Sequence, residues 1–149
     1  MPAQTLWIPG QLPGLNEIID AASKHGRSWG GKRWNMWTAR KKIEEHKIGL
    51  CILRVKLKPV DRAFFRFDWC EPDRKRDPDN ISAGGRKVIL DALVRNGILH
   101  NDGWRDIAGW TDAFRMDKKE VGVTVVIEET APDTVSGAER KGVGFTPST

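Results

Sequence analysis

The densest concentration of reactive side chains in the chain is Arg74-Lys75-Arg76-Asp77-Pro78-Asp79-Asn80. Pro78 fixes its own φ and disfavours helix at Asp77, so the Asp-Pro-Asp triplet is expected to be extended. Alternate side chains of an extended chain project to one side. Asp77 and Asp79 would then form a paired carboxylate site suited to Mg²⁺, a hard cation that takes oxygen ligands. The same letters also make ordinary turns, in which side-chain oxygens bind nearby backbone amides. A calcium EF-hand is excluded, because its loop requires a ligand and then glycine where Ile81 and Ser82 stand.

A second acidic point is Leu99-His100-Asn101-Asp102-Gly103. It follows an expected helix and its Gly97 stop, so the chain can turn back toward the first cluster. Asp102 is the candidate third carboxylate, with Asn101 and His100 beside it; Asn-Asp-Gly is equally ordinary turn chemistry. Between the two clusters Lys87, Asp91 and Arg95 recur every four residues, one stripe on a helix face. In a helix over 85–96, Lys87 lies near the N-terminus, where the helix dipole disfavours a cation, so a negative neighbour or a phosphate is expected there. His25, His46 and His100 show no zinc spacing, and no GxSxG, P-loop or GxGxxG occurs.

Charge adds a different kind of surface. No acid stands between Asp20 and Glu44, whereas Lys24, Arg27, Lys32, Arg33, Arg40, Lys41 and Lys42 do, and Trp29, Trp34 and Trp37 are interleaved with them. Positive charge tracks phosphates and aromatic faces stack on unpaired bases, which makes this a candidate nucleic-acid surface with Trp29, beside Gly30-Gly31, as the stacking residue. Solvated surface and a helix core face, respectively, are the plain alternatives.

The elements that must position these groups are readable from periodicity. A short edge strand is expected at Trp7-Ile8-Pro9, a helix over 15–22 and a loop over 25–31. A helix follows over 32–48, with Trp34, Trp37 and Ile43 inward and Arg40, Lys41, Glu44 and Lys47 outward. Alternation predicts strands over 51–58 and 63–69, the latter with Phe65, Phe67 and Trp69 on one face. Residues 71–80 read as turns, 85–96 as a helix, and 107–115 and 120–128 as strands. The order is roughly β-α-α-β-β-α-β-β, an α+β domain. From Thr130 the composition turns to small and polar residues, so 1–129 is expected to be the domain and 130–149 a flexible tail.

The whole chain has 149 residues and a net charge of +5. That is about one domain, large enough for its own core. Cys51 and Cys70 lack CxxC spacing and are expected to be free thiols, and neither a secretory leader nor a membrane span is expected, which points to the cytoplasm.

The central residues resemble the RusA family of Holliday-junction resolvases. The matching stretch is Arg76-Asp77-Pro78-Asp79-Asn80, then Lys87-Val-Ile-Leu-Asp91-Ala92-Leu93, then Gly97-Ile98-Leu99-His100-Asn101-Asp102. The likeness spans about Leu6 to Glu129 and is tightest in the centre. It implies a mixed β-sheet packed with helices and a homodimeric endonuclease dependent on Mg²⁺, with Mn²⁺ as a substitute. Such an enzyme nicks paired strands of four-way DNA junctions in recombination and repair, often from a phage gene and in the bacterial cytoplasm. No membrane and no small-molecule cofactor are implied. Carried over position by position, Asp77, Asp79 and Asp102 match the metal-binding acids, Lys87 the essential lysine, and Asp91 an acid on the same helix. Lys24, Arg27, Trp29, Lys32, Arg33, Arg74, Lys75 and Arg76 are the expected DNA contacts. Two departures stand out. The lysine falls seven residues after Asn80 instead of three, with 81–84 as the insertion, and Asn101 replaces the first acid of a frequent Asp-Asp pair. A branched- or single-stranded-DNA-binding protein of the same fold that does not cleave is the competing reading, and a plain interaction protein the third.

Overall fold

The alternation beginning at Ala63 forms the central strand of the protein. In the computed structural model, which describes residues 3–23, 25–26 and 34–133, this strand is β4 (Ala63–Glu71), flanked by β5 (Ile107–Met116) and β6 (Gly122–Glu129), with β1 (Gln4–Pro9) beyond β6. The sheet order is β1-β6-β4-β5, with β4–β5 parallel and the other two pairings antiparallel. A parallel neighbour requires a crossover, and helix α3 (Pro78–Arg95) supplies it. Helices α1 (Leu15–Ser23) and α2 (Met36–Val55) pack against α3, and a two-residue ladder joins β2 (His25–Gly26) to β3 (Trp34–Asn35). The protein is thus an α+β domain with a mixed sheet. No helix among the described residues is long and apolar enough to cross a membrane.

One sheet face is the core. Phe65, Phe67 and Trp69 point into it as predicted and stack along β4 with ring centroids 6.0 and 5.6 Å apart. Leu6, Ile8, Val123, Val125 and Ile127 extend that layer, and Ile48, Ile52, Val88, Ile89 and Leu93 close it from the helices. Residues 134–149, and with them most of the expected tail, lie outside the described residues.

Several elements differ from the sequence reading. His25–Gly26 and Trp34–Asn35 pair as strands where a loop and the start of a helix were expected, so α2 begins at Met36 and not at Lys32. Residues 51–55 continue α2 and are not a strand. Ile48, Cys51 and Ile52 are buried at helical spacing, so tertiary burial selects the 3.6-residue period over the alternation that the same letters also carry. That rotation buries Glu44 and leaves Ile43 exposed, the reverse of the expected facing. Helix α3 in turn begins at Pro78, not near Gly85. Proline at the first helical position loses no hydrogen bond and brings a helical φ. Gly84 and Gly85 therefore sit within a continuous helix, where their missing side chains admit neighbours. A Cβ on Gly84 would lie 2.3 Å from the backbone of Gly14, and one on Gly85 would lie 2.5 Å from the Trp69 ring.

Candidate functional site

Asp77 is the N-cap of α3, extended at φ −70° and ψ 146°, and Pro78 follows as the first helical residue. Only Asp77 keeps the predicted extended backbone; Asp79 is already in the first helical turn. An N-cap aspartate ordinarily accepts a hydrogen bond from an amide of that turn. The Asp77 carboxylate accepts none. Asp77 and Asp79 are both exposed, at the end of the helix whose dipole favours negative charge. Neither carboxylate has a hydrogen-bond or ion-pair partner among the described residues.

The basic residues before them divide sharply. Arg76 grips Glu71 with two bonds, Nε to Oε1 at 3.0 Å and Nη2 to Oε2 at 2.8 Å. It also donates to the Leu12 carbonyl at 2.8 Å and to Glu17 Oε1 at 3.0 Å. The two side chains are only 15% and 9% exposed. Burial alone would lower the Arg76 pKa, but the Glu71 and Glu17 carboxylates outweigh it and raise it above its ordinary value. Arg76, expected among the DNA contacts, is therefore engaged inside the protein, binding β4 to α1. Arg74 and Lys75 are exposed, Lys75 with only a loose 3.9 Å ion pair to Asp73. Lys24, Arg27, Trp29, Lys32 and Arg33 lie outside the described residues.

Asn80 of the same motif serves the fold. Its Oδ1 accepts from the Asn16 amide at 2.7 Å, satisfying an amide at the open start of α1.

Lys87 falls in the middle of α3, not near its start, and its negative neighbour is Asp91, with Nζ 3.2 Å from Oδ1. Lys41 from α2 binds the other oxygen of Asp91 at 3.0 Å. Residues 81–84 are helical and continuous with the rest of α3, so Lys87 lies eight positions after Asp79, about 12 Å along the helix axis. Ala83 occupies the place three residues after Asn80.

Asp102 is at the opposite end of the sheet. Helix α3 carries the chain about 27 Å away from Asp77. Val60 and Ala63, at the start of β4, bond to Ile98 and Asp106 on either side of the Asp102 loop. The expectation of three carboxylates converging within one chain is thus not met: Asp77 and Asp79 stay together, and Asp102 stands apart. Among the described residues no group of three or more His, Cys, Asp or Glu side chains could hold a metal ion. The Asp77/Asp79 pair on its own suits Mg²⁺ in donor chemistry, since that ion commonly takes one or two carboxylates and keeps its waters.

Two features escaped the sequence reading. Trp104, two residues after Asp102, is 90% exposed. At the other end, a cleft of about 320 Å³ opens beside Asp77, with Pro78, Ile81, Phe114 and Met116 in its wall. The Asp-Gly-Trp turn and the Trp110, Phe114, Met116 alternation were the available signals. Arg86 crosses from α3 to this edge of the sheet, bonding Asp112 at 2.9 Å and lying 4.4 Å over the Trp110 ring.

No protein-family model matches the chain, and no curated protein matches it.

Proposed function

We propose that this protein is a metal-dependent endonuclease of branched DNA, of the RusA type, acting as a homodimer on four-way junctions in recombination and repair. The observation that carries the reading is Asp77, an N-cap carboxylate that makes no side-chain cap bond to its own helix, while Asp79 beside it is without a partner among the described residues. Replacing a capping interaction by none costs the fold on the order of 1 kcal/mol, which an external ligand for the pair would explain.

Asp77 and Asp79 would hold Mg²⁺ or Mn²⁺ through carboxylate oxygens. A divalent cation bound there supplies an activated water and positive charge for phosphodiester hydrolysis. Arg74 and Lys75, exposed just before the pair, would contact the DNA backbone and set its register. Asp91 holds Lys87 and Lys41 on the face between α2 and α3, so Lys87 is best suited to binding a phosphate beside the cleavage point. The separation of Asp102 gives the dimer a chemical role. Strand β5 runs from the Asp102 loop to the cleft beside Asp77, and two copies apposed antiparallel along this free edge would bring Asp102 of each to Asp77 and Asp79 of the other. Trp104 would then meet the apolar wall of Pro78, Ile81, Phe114 and Met116.

The test is a synthetic mobile four-way junction incubated with and without Mg²⁺. Symmetric nicks that require the ion are expected, with Asp79→Asn abolishing them while junction binding persists. The position of Lys87, a full turn beyond the family spacing, favours the second reading of a junction-binding protein without cleavage. Tight, salt-sensitive junction binding with no product in either Mg²⁺ or Mn²⁺ would establish that reading instead.

A further inference from the structure

Helix α2 carries an apolar seam that no element among the described residues packs against. Its buried residues Glu44, Glu45, Ile48, Cys51 and Ile52 form one face. On the opposite face Met36, Ala39, Ile43, His46, Leu50 and Leu53 recur at intervals of three and four, the a/d spacing of a coiled-coil helix. All six are exposed, with Ile43 at 66% and Leu53 at 71%. The seam runs about 26 Å, five turns of helix. A groove of about 360 Å³ runs beside it, with Lys42, Glu45, His46, Leu50, Leu53 and Arg95 in its lining.

The exposed charges around the seam have one sign. Both acids of α2 are buried, Glu45 being paired with Arg95 of α3 at 3.9 Å, while Lys42 and Arg54 on the flanks of the seam are exposed. A second copy of α2 would set these cations against themselves. A strip only two residues wide per heptad fits another helix, whereas a membrane-surface helix buries a broad apolar face. We infer that α2 docks an amphipathic helix with acidic flanks, presented by a partner protein, through Ile43, His46, Leu50 and Leu53 with Lys42, Arg54 and Arg95 as the charged rim. This surface is independent of the acids at the ends of α3, so it stands whether or not the protein cleaves DNA.

The experiment titrates the full chain with a designed three-heptad peptide carrying Leu at a and d and Glu at e and g, read by fluorescence anisotropy. Saturable binding is expected. The double substitution Ile43→Ser/Leu50→Ser should raise Kd at least tenfold. Lys42→Glu/Arg54→Glu should weaken this peptide and strengthen its Lys-flanked counterpart. These positions are exposed, so circular dichroism should be unchanged in both variants, and Ile43→Ser/Leu50→Ser, which removes no charge, should leave junction binding unchanged. The inference is overturned by absence of binding, by binding that the seam substitutions leave intact, by binding to anionic phosphatidylserine vesicles alone, or by self-association of the protein that the same substitutions abolish.

Discussion

Arg74, Lys75 and Arg76 are neighbours of one charge, yet their surroundings give them different work. Arg76 is held by Glu71, Glu17 and a carbonyl in a part-buried site, so Arg76→Ala would leave Glu71 without its counter-ion. Loss of one partner of such a pair costs about 3 kcal/mol; chemical denaturation should show a fall of that order, and Arg76→Lys should fail to restore the two-pronged grip. Arg74→Ala and Lys75→Ala should instead leave stability within about 0.5 kcal/mol. Each should flatten the salt dependence of DNA binding by about one unit of log–log slope. The assignment fails if Arg76→Ala unfolds no more readily than the other two. Charge and spacing were legible here, but partnership was not, because Glu17 and Leu12 lie about sixty positions away in the chain.

At the scale of elements, α3 is the decisive piece. Its second turn brings Gly84 against the backbone at the start of α1 and Gly85 against Trp69. Alanine in a helix interior is ordinarily worth about 1 kcal/mol more than glycine. Gly84→Ala should reverse that sign, because the Cβ meets backbone atoms that cannot rotate away, and overpacking typically costs about 1–3 kcal/mol. A lowered denaturation midpoint is the expected reading; a raised one would mean that α1 and α3 separate easily. The start of α3 was signalled by Pro78 itself, a residue that both extends its predecessor and suits the first helical position. The end of α2 carried no such signal. Its exit residue Lys56 adopts φ 53°, a place glycine usually takes, and the alternating letters of 51–58 read as well for a strand as for a helix.

At the scale of the whole molecule, the distance between Asp102 and the Asp77/Asp79 pair sets the test of the proposed nuclease. If sites are completed between copies, Asp79→Asn and Asp102→Asn should each be inactive but should rescue each other when mixed and allowed to exchange. In a one-to-one mixture half the dimers are mixed and each has one intact site of two, so about a quarter of the normal nicking activity is expected. Absence of rescue, with mixed dimers confirmed by differential tagging, would rule out shared sites. Exposed Trp104 gives an independent handle. Its fluorescence environment should change on dimerisation, and Trp104→Ala should weaken dimerisation with little effect on the stability of the single chain.

What the chain determined locally, it determined well. The alternation of Phe65, Phe67 and Trp69 chose the core face of β4, the Val123, Val125 and Ile127 pattern chose that of β6, and Gly97 at φ +75° ends α3 where a stop was expected. These outcomes depend on neighbours a few residues apart, whose spacing matches the repeat of strand or helix. The bonds of Arg76 to Glu17 and Leu12, the facing of α2 and the separation of Asp102 from Asp77 were decided only by the tertiary structure. Each depends on contacts between residues tens of positions apart, or on the full length of an intervening helix, and no local period in the letters encodes where such a helix delivers its far end.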